Sequence, residues 1–132
     1  MATAEVRSSD RILQSALELF SSKGYDATSV REICEASGIT KPTLYHFYGS
    51  KEGVYRALVE GVLERFRTEL VDRIAEPGPV DERLQRIARQ YFDAACGQRD
   101  LMRFLFSIVH NPPESAPTID LSSFYEDVVR RV

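Results

Sequence analysis

Residues Thr28 to Val54, TSVREICEASGITKPTLYHFYGSKEGV, constrain the fold of this chain more than any other stretch. They read as two short helices joined by a turn that contains Gly38. Ser29 and Glu32 have capping-box spacing, which starts the first helix near Ser29 and carries it to about Ala36. Thr40 supplies an N-cap for the second, and Pro42 falls in its first turn, where a missing N–H costs nothing. Gly49 ends that helix near Phe47 or Tyr48. Between Thr40 and His46 the second helix carries a Lys, two Thr, a Tyr and a His. A short polar helix held out by an apolar one places side chains into a DNA groove.

No period-two alternation of any length occurs, so the chain is expected to be all-helical. A first helix is predicted from about Ser9 to Ser22, with Ile12, Leu13, Ala16, Leu17 and Phe20 at helical spacing. Residues 1–8 precede it as a loose polar arm. Gly24 just past its end suits a left-handed cap. Ser50 caps a long fourth helix predicted to reach Ala75. Its i+4 row is Val54, Leu58, Val62, Phe66, Leu70 and Ile74, widened by Tyr55, Val59 and Leu63. Glu76-Pro77-Gly78-Pro79 stops it. A fifth helix, Val80 to Cys96, has Leu84, Ile87, Ala88, Tyr91, Phe92 and Ala95 on one side. A sixth, Asp100 to Val109, is apolar almost all round and is expected to be buried on more than one side. A last helix begins between Asp120 and Ser123, where Ser123 and Glu126 repeat the capping-box spacing. Its apolar row ends at Val132 in mid-pattern, and a fragment of a longer protein is the expectation.

With 132 residues, 43% of them hydrophobic, the chain has material for one or two small packed domains. No apolar run reaches the length of a membrane span, and the N-terminus lacks the apolar core of a signal peptide. Cys34 and Cys96 give neither a metal spacing nor a disulfide framework, which points to a reducing cytoplasm. The net charge is −3. Residues 1–55 carry Arg7, Arg11, Lys23, Arg31, Lys41 and Lys51 against Glu5, Asp10, Glu18, Asp26, Glu32, Glu35 and Glu52. DNA affinity therefore has to rest on a few placed cations and on helix N-termini, without a general basic field. No catalytic carboxylate pair, metal spacing or Gly-rich phosphate loop points to an enzyme, and no cofactor is called for. The competing reading is an all-helical protein-interaction module without DNA binding, which the acidic balance and the apolar sixth helix fit.

Over residues 9–60 the chain resembles the tetracycline-repressor (TetR/AcrR) family of bacterial transcription regulators. Arg11-Ile12-Leu13, Ala16, Leu19-Phe20, Gly24-Tyr25, Thr28-Ser29-Val30, Ile33, Gly38-Ile39-Thr40, Thr43-Leu44-Tyr45 and Ser50-Lys51-Glu52 carry the resemblance. Cys34 and Ser37 stand where that family usually has Ala, Pro42 where Gly is frequent, and Phe47 where His is common. The resemblance implies a three-helix helix-turn-helix head over residues 7–67. The long fourth helix joins it to a helical ligand-binding and dimerisation domain over 68–132, incomplete at its C-terminus. It further implies a homodimer that binds a near-palindromic operator, most often as a repressor, and releases it when a small inducer binds, with no membrane partner.

In a helix-turn-helix the first helix lies across the DNA backbone and the second enters the major groove. Thr28 and Ser29 hydroxyls at the start of the first helix either meet a phosphate or serve as caps. In the second helix, framed by Thr40 and Pro42, Lys41 suits a guanine edge or a phosphate. Thr43 suits a thymine methyl, a base or a phosphate. The resemblance implies phosphate contacts for Tyr45 and Lys51. His46 makes the same kind of contact or stays solvated, and Arg31 either joins them or pairs with Glu35. Leu44 and Phe47 anchor the helix to the core. In the second half Phe66, Tyr91, Phe92, Phe104, Phe106, His110 and Tyr125 are either ordinary core or the lining of a pocket for an apolar or aromatic ligand.

Overall fold

The computed structural model describes residues 2–131, without the side chains of Ala2, Thr3, Leu70, Val71, Ile74, Ala94, Val128 and Arg131. The side chains of Leu70 and Ile74 in the expected fourth-helix row, and of Val128 in the last, thus lie outside what is described, as does Val132 altogether. The elements are α1 (Ala2–Lys23), α2 (Val30–Ser37), α3 (Lys41–Tyr48), α4 (Lys51–Ala75), α5 (Val80–Gly97), α6 (Arg99–His110) and α7 (Ser122–Arg131). Among the described residues every regular element is a helix, as the periodicity requires.

The loose arm expected over residues 1–8 is instead helix from Ala2 onward. Residues 2–8 contain no Gly or Pro, and Glu5 in the first turn suits the positive end of the helix dipole. The serines at positions 8 and 9 turn back into the helix. Ser8 and Ser9 hydroxyls donate to the carbonyls of Ala4 and Val6, at 3.0 and 2.9 Å.

The capping box of α2 is complete. Ser29 Oγ accepts from the Glu32 amide at 3.1 Å, and Glu32 Oε2 accepts from the Ser29 amide at 2.9 Å. Gly38 closes the helix at φ 68°, a left-handed conformation that a side chain would strain, and its amide donates to the Cys34 carbonyl. Ser29→Ala is expected to cost about 1 kcal/mol, measured as a lowered midpoint of urea unfolding. Ser50 starts α4 by accepting from the Gly53 amide at 3.0 Å.

The chain forms two compact units. The first comprises residues up to Val59 together with Asp100–Pro117, the second Glu60–Arg99 with the residues from Thr118. Ile12, Ala16 and Phe20 of α1, Ile33 of α2, Leu44 of α3, and Val54, Leu58 and Val59 of α4 form the buried core of the first unit. Each large aliphatic or aromatic side chain so buried contributes roughly 1.5–3 kcal/mol. Phe20, Tyr25, Tyr55 and Phe104 form an aromatic cluster at one side of this core. Tyr25 and Tyr55 meet edge to face at 5.0 Å, Tyr55 and Phe104 at 5.7 Å, and Phe20 stacks on Phe104 at 6.3 Å. The Ser115 hydroxyl, beyond α6, donates to the Asp26 carboxylate.

Burial of α6 is one-sided, contrary to the expectation from its apolar sequence. Phe104 and Ile108 are buried, Leu101 and Leu105 are half-buried, and Phe106 and Val109 are exposed. Residues four apart share one face of a helix, and in the first unit only that face of α6 is packed.

In the second unit the ring of Phe66 on α4 lies 6.0 Å from that of Phe124 on α7. Arg65 pairs with Glu69 at 3.0 Å and Arg86 with Glu76 at 3.2 Å. The cap expected from Ser123 falls two residues too late, since Ser123 is the second residue of α7. Asp120 does the work: its Oδ1 accepts from the Ser122 amide at 2.8 Å. Hydrogen bonds from the Ser122 hydroxyl and amide hold the Asp120 carboxyl below its usual range.

Candidate nucleic-acid interface

Leu44 decides which way α3 faces. Its side chain is fully buried, which turns Lys41, Pro42, Tyr45 and His46 to solvent and leaves Thr43 and Phe47 half-buried. Tyr45 is 47% exposed, a large aromatic surface to leave in water without a partner. Lys41 takes part in no ion pair among the described residues. Thr40 has the extended backbone of an N-cap, yet its hydroxyl bonds to that of Thr43 at 2.9 Å and not to a helix amide. At the other end of α3 the Tyr48 hydroxyl donates to the Ser9 carbonyl at 3.1 Å, tying α3 to α1. Burial raises the pKa of the Tyr48 phenol, so this donor keeps its proton well beyond neutral pH.

At the start of α2 the two hydroxyls part company. Thr28 is 1% exposed and donates to the Gly24 carbonyl at 2.7 Å, so its side chain serves the interior. Ser29 is exposed and its oxygen is engaged in the capping box. Arg31 and Glu35 pair at 2.8 Å with their side chains 76% and 63% exposed, the i+4 arrangement expected of them. Lys23 pairs with Glu32 at 2.6 Å.

Lys51 is half-buried. Its Nζ donates to the Tyr25 carbonyl at 3.1 Å and lies 4.2 Å above the centre of the Tyr25 ring. An ammonium has three donors, so this bond leaves two for a phosphate. Ser29, Arg31, Thr40 to Thr43, Tyr45, His46 and Lys51 all belong to the first compact unit.

Three features escape a reading of sequence. Tyr25 supports Lys51 across 26 residues, and no local pattern marks such a contact. Gly53 sits in the first turn of α4, where an added Cβ would lie 1.8 Å from the Tyr48 carbonyl oxygen. A glycine inside a helical pattern is the signal that was there to be used. A groove of about 390 Å³ runs between Ala4, Glu5 and Ser8 of α1 and Pro42, Thr43 and His46 of α3. It depends on the early start of α1.

The aromatic candidates of the second half fall in three places. Phe104 is part of the aromatic cluster of the first unit. Phe106 and His110 stack on each other at 4.0 Å on the exposed side of α6. In the second unit Phe66 and Tyr125 both meet Phe124, while Tyr91 and Phe92 are exposed on α5. A groove of about 610 Å³ in that unit is lined by Glu69, Arg73, Arg86, Arg89 and Asp93, and holds none of the aromatic candidates.

Residues 12–58 match the family model described as bacterial regulatory proteins, tetR family. The HTH-type transcriptional repressor ComR of Escherichia coli K12 is 42% identical over 57 residues, which is 43% of this chain and 27% of that protein. IcaR of Staphylococcus epidermidis RP62A, an HTH-type negative transcriptional regulator of the biofilm operon icaADBC, is 34% identical over 84 residues, 64% of this chain and 45% of the relative. The chain thus spans less than half the length of either. A TetR family transcription regulator from Marinobacter aquaeolei VT8 shares the fold with a TM-score of 0.82 at 21% identity, over 99% of this chain and 65% of that one.

Proposed function

We propose that the chain is a regulator of the tetR family, whose model residues 12–58 match, and that it binds a near-palindromic DNA operator as a homodimer and represses transcription in the cytoplasm. One observation carries the reading. A capped, well-packed α2 and a buried Leu44 hold out α3 with Lys41, Pro42, Tyr45 and His46 exposed and no acidic residue in its first turn. Such a helix fits the major groove, one per half-site, with the two half-sites roughly 34–36 Å apart.

In this reading residues 7–67 form the DNA-binding domain and residues 68–132 the helical regulatory part. Lys41 and Thr43 read base edges. Ser29, Tyr45, His46 and Lys51 hold phosphates, with Thr40 and Pro42 at the helix start. The naming of ComR as a repressor and of IcaR as a negative regulator supports repression. In this reading an apolar or aromatic inducer meets Tyr91, Phe92 and Tyr125 of the regulatory part and Phe66 on α4 just before it. Inducer and operator must then weaken each other's binding by the same factor. The proposed route is α4, one unbroken helix from Lys51 to Ala75.

Fluorescence anisotropy with short duplexes at rising salt tests this. Binding is expected to fall steeply as released counterions oppose each phosphate contact. Tyr45→Ala and Lys51→Ala weaken it on every sequence alike, whereas Lys41→Ala changes base preference by about 1–3 kcal/mol at one position. Absence of binding to any duplex at low salt would overturn the proposal.

A further inference from the structure

The first unit has few cations to offer DNA, and α2 withholds one of them. Its exposed side carries a single cation, Arg31, beside two carboxylates, Glu32 and Glu35. Glu32 is committed twice, to the Ser29 amide and to Lys23. Among the described residues Glu35 has one partner: its Oε1 accepts from Arg31 Nε at 2.8 Å, and both side chains are largely exposed. A helix that crosses a DNA backbone brings its exposed cations within reach of phosphates. A guanidinium already facing a carboxylate gains little from a phosphate, because it must first give up an opposite charge.

We infer that Arg31 is a phosphate contact held in reserve by Glu35, so that Glu35 is a residue that limits operator affinity. The inference rests on the DNA-binding reading above and adds a residue to it. The pair is carried by one turn of one helix, so the restraint is built into α2 and acts equally on every DNA sequence. Removing the carboxylate charge frees Arg31 without touching the capping box, since Ser29 and Glu32 satisfy each other.

The test is a two-by-two set in the intact chain: unaltered, Glu35→Gln, Arg31→Ala and both together, titrated with operator and with unrelated duplex across a salt series. Glu35→Gln is expected to tighten binding about two- to fivefold per protomer on both duplexes, the range of an exposed ion pair. It should also steepen the salt dependence by about 0.9 in the logarithmic slope, one added phosphate contact. Arg31→Ala alone should change little, and in the Glu35→Gln background it should remove the gain. A gain that survives in the double variant would overturn the inference, because the effect would then be a general loss of negative charge. So would an unchanged affinity in Glu35→Gln while the unaltered chain binds normally. If neither the unaltered chain nor Glu35→Gln binds any duplex, the DNA-binding reading itself falls, and this inference with it.

Discussion

Gly53→Ala is expected to lower the thermal midpoint of the chain and to weaken DNA binding together. A Cβ at Gly53 would lie 1.8 Å from the Tyr48 carbonyl oxygen. The oxygen is a backbone atom and a Cβ is fixed rigidly to Cα, so no side chain can rotate away and α3 must shift against α4. Overpacking of this kind costs about 1–3 kcal/mol, and each kcal/mol lowers the midpoint of a small domain by roughly 4–8 °C. The displaced element is α3 itself, which carries Lys41, Thr43 and Tyr45, so affinity should fall beyond what partial unfolding explains. Gly61→Ala is the control on the same helix. Nothing lies within 4 Å of a Cβ there, and an alanine in a helix interior is better than glycine by about 0.5–1 kcal/mol. Thermal melts followed by circular dichroism and anisotropy on the same samples separate the two. Equal effects of the two substitutions would count against the tight α3–α4 joint.

Phe104→Ala should be the most damaging single truncation on α6, at about 3–5 kcal/mol. The side chain is 2% exposed and packs on Phe20 and Tyr55, so its loss opens a cavity in the first unit. Small domains are stable by about 5–15 kcal/mol, so the loss takes a large part of the total. Phe106→Ala, two positions along the same helix at 64% exposure, should stay within about 0.5 kcal/mol. The comparison has a wider meaning for how the head is defined. Asp100–Pro117 belongs to the first compact unit through Phe104, Ile108 and the Ser115–Asp26 bond. A fragment ending before Asp100 would leave the aromatic cluster open to water. Urea unfolding of the two variants decides the matter, and a near-neutral Phe104→Ala would show that α6 is dispensable to the head.

What could be read from sequence was local. The box of Ser29 and Glu32, Gly38 at the end of α2, and Ser50 before α4 each act within a few residues, and the structure builds each as its pattern predicts. The errors have the same physical origin as the successes. The apolar spacing puts the start of the first helix near Ser9, yet residues 2–8 are helix, and the Ser8 and Ser9 hydroxyls return to carbonyls three or four residues back. Asp120 and Ser123 competed to begin α7, and a single hydrogen bond to the Ser122 amide settled it. Long-range placement had no local trace. The buried side of α6 is an exception: Arg99, Asp100, Arg103, Ser107 and His110 mark one side of the helix as polar, and Leu101, Leu105 and Ile108 lie away from it. For the residues proposed to face DNA, the exposed side of α3 follows from the burial of Leu44. The inward turn of Thr28 depends on the Gly24 carbonyl, and the seat of Lys51 on Tyr25.

That seat bears on how an acidic chain would hold a polyanion in the proposed reading. A free lysine surrenders much of its rotamer freedom when it grips a ligand, about 0.5–1.5 kcal/mol for each such side chain immobilised. Lys51 has already met much of that loss in the unbound chain, held by the Tyr25 carbonyl at 3.1 Å and by the ring beneath it. In the proposed complex, preorganisation of one ammonium would thus substitute in part for the missing positive field. It should show itself as a binding entropy less unfavourable than that of a Tyr25→Leu variant, in which the ring support is gone.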